Sequence, residues 1–179
     1  MEQCEENTRT AIAELKDVSG VPKVFLVGLR VGAPIAVNVA RGRFDVSRVV
    51  LWDPVVRGRF YLRELSDRHK EIMDSVHPDT QWYSNGKEGL CGFPVPQHLR
   101  DELDEIDLTQ NAAKPEKGVL VAVCESNESY AELRMAYERR GLNCAWQHVT
   151  GQRIWEEKTL AAHELVPTET LRGIVTWLA

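Results

Sequence analysis

The chain has 179 residues, of which 43% are hydrophobic and 27% are charged, and its formal net charge is −5 at pH 7. This composition is that of an ordinary soluble globular protein, and the length suits one domain. The charges are mixed along the chain and form no basic stripe, which argues against nucleic-acid binding, and no apolar run is long enough to span a membrane.

The N-terminal sequence and the cysteines indicate a reducing compartment. MEQCEENTRT is acidic and polar, so it lacks the basic start and apolar stretch of a secretory signal, and we expect a cytoplasmic protein. The cysteines are widely spaced, with no CxxC pair and no histidine at ligand spacing, which predicts reduced thiols, no metal site and no cofactor. They are Cys4, Cys91, Cys124 and Cys144.

Strand and helix patterns alternate along the chain. Apolar runs rich in β-branched residues predict four strands, and helical spacing with capping residues predicts the helices between them. The predicted strands are 24–27, 47–52, 118–123 and 142–149, and the predicted helices are 5–17, 33–40, 61–73, 129–140 and 168–178. This alternation predicts an α/β fold in which about four mostly parallel strands carry helices on both faces.

Residues 74–117 interrupt the alternation. The segment is rich in proline, glycine and polar residues, and it is longer than an ordinary connection in a compact domain. We therefore expect a single domain over 1–179 with a cap-like or lid-like insertion at 74–117. The aromatic residues Trp82, Tyr83 and Phe93 either line a ligand site there or anchor the segment to the domain.

The motif Gly28-Leu29-Arg30-Val31-Gly32 joins the first predicted strand to a helix. It is followed in order by LWDPVV, by a third strand with an acidic tail, and by His163 before the last helix. In this order and spacing, the chain from Val24 onward resembles the C-terminal half of an α/β-hydrolase. The combination of GLRVGA, LWDPVV and YLREL resembles the serine-aminopeptidase-like hydrolases found beside bacterial exosortase systems.

The resemblance implies a nucleophile elbow, in which Gly28 and Gly32 flank a serine and allow close packing, and the N–H of Val31 contributes to an oxyanion hole. Arg30 stands at the position of that serine. A guanidinium stays protonated and cannot attack a carbonyl, so acyl-enzyme chemistry is excluded at this position.

Arg30 also lies next to the start of a helix, where backbone N–H groups converge and favour an anion. This placement predicts a site for a carboxylate or phosphate. The residues of that candidate site are Gly28, Arg30, Val31 and Gly32. An ion pair between Arg30 and Asp53 or Glu125 is the alternative.

The same resemblance places Asn127 at the position of the triad acid and His163 at that of the triad histidine. An asparagine can orient an imidazole but does not stabilise imidazolium as a carboxylate does. Glu125 and Glu128 are alternatives for the acid, or else solvated loop residues. Cys124 is the alternative nucleophile, with His163 as its base, or else a buried and inert thiol.

In the hydrolase family four strands precede the elbow, whereas one predicted helix precedes it here. The strand 24–27 is therefore predicted at an open sheet edge, which proteins normally cover. We expect a homodimer partner or a complementary N-terminal-half chain to cover it. The resulting interpretation is a catalytically degenerate hydrolase-like protein that acts as a binding or assembly module. The alternative is an esterase-like or peptidase-like hydrolase with another nucleophile or with a completing partner chain.

Overall fold

The structure is a computed structural model, and it describes residues 1–75, 89–91, 93–149 and 167–179. The helices in these ranges are α1 (Glu2–Ser19), α2 (Gly32–Ala40), α3 (Gly58–Ser75), α4 (Gln97–Asp104), α5 (Glu128–Arg139) and α6 (Thr168–Leu178). The strands are β1 (Val24–Leu29), β2 (Val46–Trp52), β3 (Gly89–Leu90), β4 (Phe93–Pro94), β5 (Val119–Val123) and β6 (Cys144–His148).

The described chain divides into two compact units. The smaller unit contains Arg57–Asp107 together with Met1, and the larger unit contains Glu2–Val56 and Leu108–Ala179. The smaller unit contains α3, α4 and the short antiparallel pair β3–β4. The larger unit contains the remaining helices and strands.

The larger unit is built on a four-stranded parallel sheet with the order β1-β2-β5-β6. The predicted α/β fold class is therefore confirmed. All five residues of β5 are buried, as expected for a central strand of a parallel sheet that is covered on both faces. This burial is why β5 is a continuous run of apolar residues.

Alternate residues of the strands face opposite sides of the sheet. On the first face, Val49 and Val121 pack in one core cluster with residues of α1, α2 and α5. On the second face, Val50 and Leu120 pack in another cluster with Ile174 of α6. The first face and the second face keep these names below.

Arg48 attaches α6 to the second face. Its guanidinium lies 5.8 Å from the centroid of the Phe25 ring and 5.2 Å from that of the Trp177 ring, which suits cation–π attraction. Its Nη1 also donates to the carbonyl oxygen of Trp177, at the C-terminal end of α6. A cation at this end of a helix is favoured by the helix dipole, so one side chain joins β1, β2 and α6.

In the smaller unit, α3 and α4 meet at Gly58. A Cβ added there would lie 1.5 Å from the carbonyl oxygen of Leu103, so only glycine permits this contact. The N–H of Gly58 donates to the carbonyl of Ile106 at 2.9 Å. Helix α4 was not predicted, and it shows that part of the segment 74–117 has regular structure.

Asp45 joins the end of α1 to the start of β2. Its Oδ2 accepts from Lys16 Nζ at 2.7 Å and from Arg43 Nη2 at 2.8 Å, and its Oδ1 accepts from Arg43 Nε at 3.0 Å. The hydrogen bond from Lys16, followed by that from Arg43, lowers the pKa of Asp45 from 3.8 to about 2.

Asp45→Asn is expected to weaken the protein against acid in a defined pH range. Because the pKa of Asp45 is lower in the folded than in the unfolded chain, its stabilising contribution is full above about pH 4 and is lost as the pH falls towards 2. The variant should have a lower free energy of unfolding at neutral pH and a flatter pH dependence below pH 4 in urea titrations. Asp17→Asn, on α1, is the control and should keep the wild-type slope; equal slopes for all three proteins would contradict the expectation.

Candidate functional site

The turn between β1 and α2 has the backbone of a strained elbow. Arg30 lies in the left-handed region, with φ 51°, where a residue other than glycine is strained by about 1–3 kcal/mol. Its N–H donates to the carbonyl of Trp52 at 3.0 Å, and its carbonyl accepts from the N–H groups of Ala33 at 3.1 Å and Val55 at 3.2 Å. These main-chain bonds hold the turn against α2 and against the end of β2.

The two glycines of the elbow have different roles. A Cβ at Gly28 would lie 2.4 Å from the carbonyl oxygen of Gly32 and 2.6 Å from Cα of Ala33, whereas a Cβ at Gly32 would meet nothing within 4 Å. The resemblance implied that both glycines allow close packing. The structure corrects this for Gly32, because the position of its Cβ at the start of α2 is open.

The first turn of α2 is the proposed position of an anion. No side chain caps this helix at Val31, and its first turn contains no acidic residue. The N–H groups at a helix start have no partner within the helix, and the helix dipole favours a negative charge beside them. The structure thus brings Arg30, Val31 and Gly32 together at this helix start, with Gly28 under the turn.

Asp53 is a buried polar residue that the sequence analysis named only as an alternative ion-pair partner of Arg30. It follows β2, it is 1% exposed, and its φ is 39°. Its Oδ1 accepts from the N–H of Cys124 at 2.8 Å and from Tyr130 Oη at 3.5 Å, while its own N–H donates to the carbonyl of Ala122 at 2.8 Å. These bonds run to the end of β5 and to α5, and no described ion pair joins Asp53 to Arg30. The sequence feature that could have identified Asp53 is its position directly after a buried strand.

Asn127 is the N-cap of α5. Its side-chain oxygen accepts from the N–H of Tyr130 at 2.9 Å, which is the usual bond of a capping asparagine. This bond gives the residue a structural role, whatever its position in the resemblance. Glu125 and Glu128 are both exposed, and Glu128 lies in the first turn of α5, where an acid suits the helix dipole.

The alternative nucleophile is only partly placed by the structure. Cys124 is buried at the end of β5, with its N–H bound to Asp53. His163, which would have to act as its base, lies outside the described residues, as do Trp82 and Tyr83. The described residues therefore bring together the elbow and the ends of β2 and β5, and they do not form a catalytic triad.

The described residues contain neither a metal-binding cluster nor a membrane-spanning helix. Among them, no group of three or more histidine, cysteine, aspartate or glutamate side chains is arranged to hold a metal ion. Within the same part of the chain, no helix combines the length and the apolar character needed to cross a membrane.

No protein-family model and no curated protein matches the sequence. Solved structures are similar to it in fold. An α/β hydrolase from Sphaerobacter thermophilus has a TM-score of 0.46 and 15% identity, covering 94% of this chain and 72% of that one. A protein from Lactobacillus plantarum named as a carboxylesterase has a TM-score of 0.40 and 13% identity, covering 93% and 62%. Esterase B from Lactobacillus rhamnosis has a TM-score of 0.38 and 18% identity, covering 88% and 54%.

At these identities and TM-scores the similarity concerns the α/β fold alone. The chain spans less than two thirds of the length of two of these three structures.

Gly28→Ala and Gly32→Ala form a matched pair of substitutions at the elbow. The first should lower the free energy of unfolding by about 1–3 kcal/mol or more, because the new methyl group meets main-chain atoms that cannot move aside. The second should change it by less than about 0.5 kcal/mol. Urea unfolding measures both values, and equal losses would contradict the assigned difference in packing.

Asp53→Ala should lower the free energy of unfolding by about 2–4 kcal/mol, because it leaves the N–H of Cys124 buried without an acceptor and puts alanine at a positive φ. Asp53→Asn should cost less, since an amide oxygen can accept the same bond and asparagine tolerates this backbone conformation. Thermal unfolding of the two variants tests the order. If Asp53→Asn is as harmful as Asp53→Ala, the carboxylate charge itself stabilises the site.

Proposed function

We propose that the protein is a catalytically degenerate α/β-hydrolase-like protein that acts as a binding or assembly module. Arg30 in the left-handed turn of the elbow is the observation that supports this most directly. The backbone conformation at this residue is the one in which a hydrolase of the resembled family would present its nucleophile. A permanently protonated guanidinium cannot form the acyl-enzyme.

The position of the triad acid supports the same proposal. Asn127 has its side-chain oxygen bound to the N–H of Tyr130, and the neighbouring acids Glu125 and Glu128 are exposed. A catalytic histidine needs a carboxylate that both orients it and stabilises its charged form. A capping asparagine has lost the charge and uses its oxygen elsewhere.

The ligand proposed for the binding role is a carboxylate or a phosphate at the elbow. The first turn of α2 has no side-chain cap at Val31 and no acidic residue, and Arg30 adds a positive charge at the same end of the helix. A helix N-terminus with an adjacent guanidinium is a common arrangement for binding anions.

The assembly role is proposed for the edge strand β1, which would pair with a second copy or with a complementary N-terminal-half chain. Within the described chain β1 has β2 as a neighbour on one side and no strand on the other, as predicted for the strand 24–27. We also propose that the segment 74–117 serves as a cap.

Two assays test the proposed function. The wild-type protein and Arg30→Ser should both fail to hydrolyse nitrophenyl esters above the buffer rate, since the serine alone does not restore a charged triad acid. Phosphate or citrate should raise the Tm of the wild-type protein relative to chloride at equal ionic strength. Arg30→Ala should lose this rise, whereas Arg41→Ala, at the other end of α2, should keep it.

The esterase assay and the anion assay contradict different parts of the proposed function. Ester turnover by the wild-type protein that disappears in Cys124→Ser would contradict catalytic degeneracy and favour the thiol-based hydrolase. Anion stabilisation that persists in Arg30→Ala would contradict the elbow site and leave the first conclusion intact.

A further inference from the structure

The open edge of β1 has a definite backbone pattern. The N–H of Val24 donates to the carbonyl of Asp45 at 2.8 Å, and that of Arg30 donates to the carbonyl of Trp52 at 3.0 Å. Main-chain groups two residues apart in a strand point to the same side. Even-numbered residues of β1 therefore bond towards β2, and the odd-numbered residues present their N–H and C=O groups away from it. These three edge residues are Phe25, Val27 and Leu29.

The side chains of the three edge residues share one face. Because Phe25 pairs with Arg48, whose guanidinium stacks on its ring, they lie on the second face of the sheet. Phe25 is 45% exposed, Val27 is 51% exposed and Leu29 is 38% exposed. The residues between them face the opposite side, where Val24 is buried and Leu26 packs against the core. The same three residues thus carry both the backbone groups that point away from β2 and the exposed apolar side chains.

We propose that β1 pairs with β1 of a second copy in antiparallel orientation, with Val27 on the two-fold axis. The inference rests on the assembly role proposed above and identifies its partner. A two-fold axis through an edge strand makes the two strands antiparallel. Val27 then faces Val27 of the second copy, and Phe25 faces Leu29 of the second copy. Each facing pair exchanges two hydrogen bonds, about six in all.

This register alone joins all three edge residues of both copies. A shift of two residues in either direction leaves two pairs between edge residues. One shift places Lys23 opposite Leu29, and the other places Phe25 opposite Val31, which lies outside β1 and has a helical backbone conformation. In the proposed register every cross-strand pair of edge residues is apolar, which is a favourable combination on one face of a sheet. The exposed apolar side chains of the edge residues of both copies then form one continuous row on the second face.

The charges beside β1 do not oppose a second copy in this register. Arg30 faces Val24 of the second copy and Lys23 faces Val31, so no like charges are opposed. Lys23 is moreover already paired with Glu116 of its own chain. The two Arg30 residues lie six positions apart along the paired strands, about 20 Å at the usual rise. The elbows therefore remain separate at the two ends of the pair.

Site-specific crosslinking tests the register. In a Cys4→Ser background, which removes an exposed thiol, Val27→Cys should form a disulfide-linked dimer under mild oxidation. The two Cα atoms would be about 5.5 Å apart, within the range of a disulfide. Phe25→Cys is the matched control and should not crosslink, because its own counterpart lies about four residues away along the partner strand. Equal crosslinking at the two positions would overturn the proposed register.

Light scattering tests the dimer itself. The wild-type protein should have a mass of twice 20.3 kDa, and Val27→Lys should have the mass of one chain, because lysine places a charge on the two-fold axis. Val175→Lys, at an exposed position on α6, should remain dimeric. If Val27→Lys does not fold, the crosslinking pair decides alone.

A wild-type mass of one chain at high concentration would overturn the inference. The esterase and anion assays are independent of this mass, because they measure the elbow and not the edge. If the protein is a monomer, has no esterase turnover and still binds an anion, the proposed dimer is wrong and the proposed binding role stands.

Discussion

The carboxylate of Asp53 is the interaction on which the arrangement of the strand ends depends. It is buried, and a buried polar group without a hydrogen-bond partner is costly. Its Oδ1 accepts from the N–H of Cys124, and Tyr130 Oη lies within hydrogen-bond distance. The bond from Cys124 joins the residue that follows β2 to the residue that follows β5, so the side chain of Asp53 links the ends of these two neighbouring strands.

The elbow is fixed to the same strand ends by other means. The main chain of Arg30 bonds to Trp52, at the end of β2, and to Val55, just beyond Asp53. Two consecutive connections of the sheet therefore contain a residue at positive φ, Arg30 and Asp53, and each is held by bonds to the next strand. The strain is local, and the bonds that oppose it belong to neighbouring elements, as is usual where a fold maintains an unfavourable backbone.

The sequence predicted the elements whose signals are local. The helix 168–178 has the predicted limits, although Pro167 and not Thr168 is its N-cap. The helix predicted after Gly32 begins one residue earlier, and β2 and β5 each differ from prediction by one residue, because apolar runs are encoded in neighbouring residues. The contact of Gly28 with the backbone of α2 was implied by the resemblance, whereas the open position at Gly32 was not. Neither can be derived from pattern alone, since close approach is a property of packed elements. The same limit applies to Asp53, because the two groups that donate hydrogen bonds to its side chain are 71 and 77 residues away in the chain.

The hydrogen bonds that hold the elbow in its left-handed turn use only main-chain atoms of residue 30. Every amino acid except proline has those atoms, so the hydrogen bonds of the turn set no chemical requirement on the side chain at this position. A lineage that carries this scaffold can therefore exchange the residue at this position and keep the same architecture. In such a fold a single substitution at this position can remove or add a chemical function without changing the turn. The backbone shape of the turn therefore does not show whether the residue at this position is catalytic.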